Sequence, residues 1–126
     1  MIKKVILSLV VLVYVSHKLS GQEALNNESP QTIVLVPGAW GGAWAFKAID
    51  HALVEKGYKV YRPTLSGLGR DYHNNSQNIT LQTHINDVVN LILFERLEQV
   101  MLVGHSYGGM VISGVANELP NRVKQL

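Results

Sequence analysis

The sequence contains no cysteine, which excludes disulfides, a thiol nucleophile and cysteine-built zinc sites, and leaves the redox compartment open. Charge is sparse: 16% of the 126 residues are charged and 47% are hydrophobic. That balance excludes a disordered chain and fits one small globular domain. Also missing is an apolar run able to span a bilayer as a helix, which takes about 20 residues. The run Val5 to Val15 has only 11 residues. A basic surplus is absent once its source is found. Lys3, Lys4 and Lys18 are basic and residues 1–21 hold no acid, so residues 22–126 carry 8 basic and 9 acidic groups. The whole-chain net charge of +2 therefore gives no argument for a nucleic-acid partner.

What is present at the start is an address. Met1-Ile2-Lys3-Lys4 is a basic segment, Val5–Val15 an apolar one, and His17-Lys18-Leu19-Ser20-Gly21 a polar exit with small residues. This order predicts a secretory signal peptide over 1–21, a secreted or periplasmic product, and no stable membrane span. Residues 22–31 are polar and without periodicity, which predicts a flexible leader. The domain is expected over 32–126.

Within it, Thr32 to Val36 is a β-branched run, read as a buried strand. A small-residue loop, Pro37 to Trp44, leads to a helix ending near Lys56, with Phe46, Ile49 and Leu53 on its apolar side. Gly57 stands where a helix-terminating glycine belongs. Tyr58–Tyr61 is a second strand, and the polar, Asn-rich stretch 70–79 a loop. Thr80 can cap a helix whose Leu81, Ile85, Val88 and Ile92 share one side. Val100–Val103 is a third strand, 107–119 a third helix stopped by Pro120-Asn121, and Arg122–Leu126 looks like the lead-in to another strand. The order βαβαβα predicts an α/β fold, a parallel doubly wound sheet of three βα units. With three strands, Val100–Val103 is expected at an open sheet edge.

Between the third strand and third helix lies Gly104-His105-Ser106-Tyr107-Gly108-Gly109. G-x-S-x-G in that setting is the pattern of a nucleophilic serine on a strained strand-to-helix turn. Residues two before and two after such a serine must lack bulk, hence Gly104 and Gly108; Gly109 is expected to let the helix sit close on the sheet. The Ser106 hydroxyl then lies at a helix N-terminus, whose free N–H groups favour developing negative charge. Acyl transfer also needs two oxyanion donors: the N–H of Tyr107, next after the serine, and one from the loop Pro37-Gly38-Ala39-Trp40-Gly41-Gly42.

Three segments together resemble the α/β-hydrolase family: Val-Pro-Gly-Ala-Trp-Gly-Gly-Ala-Trp (36–44), Thr-Leu-Ser-Gly-Leu-Gly (64–69) and Val-Gly-His-Ser-Tyr-Gly-Gly-Met (103–110). The similarity is to pyrethroid-hydrolase-like esterases, plant methylesterases and hydroxynitrile lyases, and it covers 32–126. It implies an ester hydrolase acting on a small-molecule ester through an acyl-enzyme on Ser106. Ala39 and Tyr107 would hold the oxyanion, and Gly38 and Trp40 would border the substrate. It implies no cofactor and no metal. Where that family commonly has His-Gly, this chain has Pro37-Gly38, which leaves the Ala39 N–H in place. Hydroxynitrile lyases tend to carry threonine where Gly38 stands, which tilts the reading to esterase. A carbon–carbon lyase and a non-catalytic ligand-binding member stay open as alternatives.

In that family an acid and then a histidine follow later strands. Here 20 residues follow Ser106, and none of the five histidines is a convincing base. His17 lies in the signal segment and His51 on the polar side of its helix. His73 is in a loop beside Asp71, and His105 adjoins the serine in a turn expected to send its side chain elsewhere. His84, with Asp87 three residues on, borders an apolar stripe and reads as a packed or solvated face. The expectation is the N-terminal part of a hydrolase, its acid and histidine lying beyond Leu126.

Overall fold

A computed structural model describes residues 31–126; the expected signal peptide and all of the expected leader except Gln31 lie outside the described residues. Four parallel strands form one sheet in the order β2-β1-β3-β4. They are β1 (Thr32–Val36), β2 (Lys59–Tyr61), β3 (Val100–Gly104) and β4 (Val123–Gln125). The helices between them are α1 (Lys47–Glu55), α2 (Leu81–Phe94) and α3 (Gly108–Glu118). A 3₁₀ turn over Ala43–Phe46 leads into α1, and another over Gly69–Asn74 overlaps the start of the expected Asn-rich loop.

Local chemistry sets the helix ends. Thr80 caps α2: its hydroxyl accepts from the Thr83 N–H at 3.4 Å, and the Thr83 hydroxyl accepts from the Thr80 N–H at 3.1 Å. That reciprocal pair satisfies two of the N–H groups a helix start leaves over. Gly57 follows α1 at φ +88°, a left-handed conformation that glycine takes without steric cost.

Alternation along β1 splits the core between the two faces of the sheet. Val34 and Val36 join Val100 and Leu102 of β3 under α2 and α3, packed against Ile85, Val88, Ile92, Val111 and Val115. On the opposite face Ile33, Leu35 and Phe46 form a smaller cluster, with Leu53, Tyr58, Val60 and Met101 partly buried around it. No residue of α1 is fully buried. The expected apolar side of that helix is therefore shallow, and Ile49 is 51% exposed.

Two expectations are corrected. The three βα units are followed by a fourth strand, so β3 is not at the edge: Val100 pairs with Val123 and Met101 with Gln125, across an irregularity. The Val100 N–H donates to the Arg122 carbonyl at 2.8 Å, and Arg122 reaches back to Glu98 at 2.7 Å and to the Leu97 carbonyl at 3.0 Å. The lead-in seen at Arg122–Leu126 is thus itself a strand, over Val123–Gln125. The second correction concerns Gly109, where an added Cβ would meet nothing within 4 Å. The close approach of helix to sheet is made instead by Gly108, where an added Cβ would meet the Val36 carbonyl oxygen, while Gly114 leaves room for the Ile85 side chain between α2 and α3.

Candidate active site

Ser106 has φ +54°, a region that costs an ordinary side chain of order 1 kcal/mol or more and persists only where its surroundings enforce it. Here the enforcement is visible. The His105 N–H donates to the Val36 carbonyl at 3.1 Å, fixing the end of β3 to β1. The Gly108 N–H then donates to His105 and the Gly109 N–H to Ser106, both at 2.9 Å, which closes the turn into α3.

The flanking glycines are required by contact. A Cβ on Gly104 would sit 2.6 Å from the Gly108 carbonyl group, and one on Gly108 would run into the Val36 and Pro37 carbonyl oxygens. Any side chain at either position would force backbone apart. Gly38 is also tight: its Cβ would lie 3.3 Å from the Ser106 Cβ. The loop after β1 and the elbow are therefore in close contact, as a two-part oxyanion site needs. Among the described residues, neither the Ala39 nor the Tyr107 main-chain N–H has a protein hydrogen-bond partner.

A cavity of about 340 Å³ opens beside the serine, bordered by Gly38, Ala39, Trp40, Phe46, Ile49, His105 and Ser106. Trp40 borders it from the solvent side and is itself 100% exposed. His105, expected to point elsewhere, shares this cavity, yet no hydrogen bond joins its ring to Ser106 among the described residues. A larger cavity of about 510 Å³ lies between α1 and β2, with Trp44, Lys47, Asp50, Tyr61, Arg62 and Arg70 on its walls. No residue of the elbow reaches it, and Arg62 is spent on Asp50 at 2.8 Å and on the Ala43 carbonyl at 2.8 Å.

The remaining histidines separate clearly. His51 and His73 are exposed. His84, read as a packed or solvated face, is buried and fully bonded: Nδ1 lies 2.8 Å from the Tyr107 hydroxyl and Nε2 2.9 Å from the Ser66 carbonyl. Asp87 does not pair with it. Its carboxylate accepts from the Ser66 N–H at 2.7 Å and the Ser66 hydroxyl at 2.9 Å. Burial pushes the Tyr107 phenol up from its ordinary pKa. Asp71 is held below the usual carboxylate range, first by the Gly67 N–H and then by the Asn74 amide. Among the described residues no group of three or more His, Asp or Glu could hold a metal, and no helix is long and apolar enough to cross a membrane.

With strand, elbow, helix and facing glycine loop in place, the class is defined. Residues 33–124 match the Alpha/beta hydrolase family, and the chain belongs to it. It is 47% identical over 93 residues to a carbendazim-hydrolysing esterase of Nocardioides sp. (strain SG-4G), covering 74% of this chain and 38% of that protein. Methylesterase 8 of Arabidopsis thaliana is 29% identical over 94 residues, 74% of this chain and 35% of that one. Among solved structures, an extracellular α/β-hydrolase from a Paenibacillus species superposes with a TM-score of 0.69 at 35% identity, covering 75% and 38% of the two chains. A pyrethroid hydrolase superposes at 0.65 with 27% identity, covering 74% and 37%. The chain thus spans less than two fifths of the length of these relatives.

Proposed function

We propose that this chain carries the nucleophile and oxyanion half of a carboxylic ester hydrolase. The observation that carries this is Ser106 at φ +54°, held between Gly104 and Gly108, where backbone leaves no room for a Cβ. In the proposed reaction the Ser106 oxygen attacks the ester carbonyl carbon while a base takes its proton. The N–H groups of Ala39 and Tyr107 hold the resulting oxyanion. Its collapse expels the alcohol with a proton and leaves an acyl-enzyme, which water then hydrolyses. The esterase relatives support this chemistry.

His84 is excluded as the base because both its nitrogens are engaged away from Ser106. The proposal places the acid and histidine beyond Leu126, as in the family this chain resembles. The substrate is a small-molecule ester whose apolar part enters the cavity between Trp40, Phe46 and Ile49. Gly38 favours ester hydrolysis over a lyase of the same family, because hydroxynitrile lyases tend to carry threonine where this chain has glycine. The basic start followed by 11 apolar residues supports export, to be checked by N-terminal sequencing of the exported product; soluble cytoplasmic protein beginning at Met1 would sink that part.

The nucleophile is tested by Ser106→Ala in the complete gene product. Ester turnover should fall by about 10⁴ or more with substrate affinity little changed. A loss under tenfold would assign the chemistry to another residue.

A further inference from the structure

Beyond the nucleophile and its oxyanion donors, we infer that His84 is a positioning residue for the elbow, acting through the Tyr107 side chain on the Tyr107 main-chain N–H. The inference rests on the proposed function in one respect: that this N–H faces the oxyanion.

The hydrogen-bond directions follow from the partners. The Ser66 carbonyl can only accept, so His84 Nε2 carries the proton and donates to it at 2.9 Å. In the neutral ring that leaves the Nδ1 lone pair as acceptor, 2.8 Å from the Tyr107 hydroxyl. Tyr107 can donate because burial favours its protonated form. The two rings also meet edge to face, with centroids 5.6 Å apart and planes at 83°. His84 is 6% exposed, so its ring has little water to bond in place of these partners.

The far end of the relay is anchored just as firmly. Ser66 gives its N–H and its hydroxyl to Asp87, one helical turn along α2 from His84, and offers its carbonyl to His84. Three bonds from one helix therefore fix a single residue of the loop after β2. That fixed residue in turn fixes the plane of the imidazole.

At the near end, Tyr107 joins two constraints. Its peptide N–H belongs to the bond leaving Ser106, whose φ of +54° is strained. The orientation of that N–H depends on Ser106 ψ and Tyr107 φ. Tyr107 itself takes helical angles, φ −50° and ψ −33°, and its side chain makes no cap of its own to α3. Holding the phenol at its tip restrains the residue that carries the donor, and an oxyanion donor acts only when aimed before the reaction.

Two substitutions at His84 separate positioning from simple packing. An Asn carbonyl falls near the position of Nδ1, and a Gln amide near that of Nε2. His84→Asn keeps an acceptor for Tyr107 and loses Ser66, whereas His84→Gln keeps Ser66 and loses Tyr107. In the complete gene product, His84→Gln and Tyr107→Phe should each lower kcat about tenfold at nearly constant KM, a fraction of the 10²–10³ for losing a whole donor. The double variant should be no slower than either single one, and His84→Asn should recover most of the turnover. Equal losses in Asn and Gln, or full activity in Tyr107→Phe, would overturn the inference. Histidine ¹⁵N NMR of the wild type reads the tautomer without any catalysis: Nε2 should be protonated and Nδ1 bare, and the opposite pattern overturns the relay. Ser106→Ala in the same series keeps the two claims apart. Turnover that survives it removes the assigned nucleophile, whereas its loss beside an unaffected His84→Gln removes His84 alone.

Discussion

The two faces of the sheet are built to different depths. Under α2 and α3, Val88, Val100, Leu102, Val111 and Val115 are wholly buried, and the elbow stands at the end of the strand they clamp. Under α1 the core is three buried residues, and Ile49 is half-exposed and borders the cavity beside Ser106. The deep face holds a strained turn in place, and the shallow face supplies a wall that a ligand can touch. Strain at Ser106 is affordable only because the packing behind it is dense.

Substitutions on each face should break or sharpen this contrast. Leu102→Ala removes a fully buried side chain of β3 and should cost about 3–5 kcal/mol by urea melt. A loss below about 1 kcal/mol would show that the deep face does not carry the fold. Ile49→Ala on α1 should cost no more than about 1 kcal/mol, since half the side chain already faces solvent. Its effect should fall on KM for esters with bulky apolar groups, and an unchanged KM would remove Ile49 from the substrate wall.

The smallest effect lies in the loop between the two faces. Asp71 binds the Gly67 N–H at 2.8 Å and the Asn74 amide, which lower its pKa in the folded protein. A depressed carboxylate stabilises fully above its unfolded value, about 3.9, and its contribution fades as pH falls through the lower folded value. A slight stability gap between wild type and Asp71→Asn should therefore be present at pH 6 and close only on acidification below about pH 4. A gap that persists unchanged in acid would mean the carboxylate charge has no part in it.

Much of the elbow was legible because its constraints are local. Gly104, Ser106 and Gly108 are separated by a fixed number of residues, so the turn they must make follows from spacing, and the Thr80 cap follows in the same way. Gly109 misled because two adjacent glycines look alike in sequence, while only one, Gly108, faces the Val36 carbonyl. The direction of the His105 ring was not legible, because it is set by neighbours such as Gly38, far away in the chain, where an added Cβ would lie 3.4 Å from its Nδ1. Apolar periodicity located α1 but could not set its depth, which depends on how much sheet lies beneath it.

The sequence by itself determined the parallel βα order, the serine on its turn and the glycines that make room for it, because each is a matter of periodicity or steric exclusion over a few residues. Only the tertiary structure decided that β4 covers β3 and that Gly114 admits Ile85. It alone joined His84 to Tyr107 across 23 residues of chain. Those contacts depend on the register and crossing of separate elements, and a hydrogen bond between two groups exists only once packing has brought them within about 3 Å and removed the competing water.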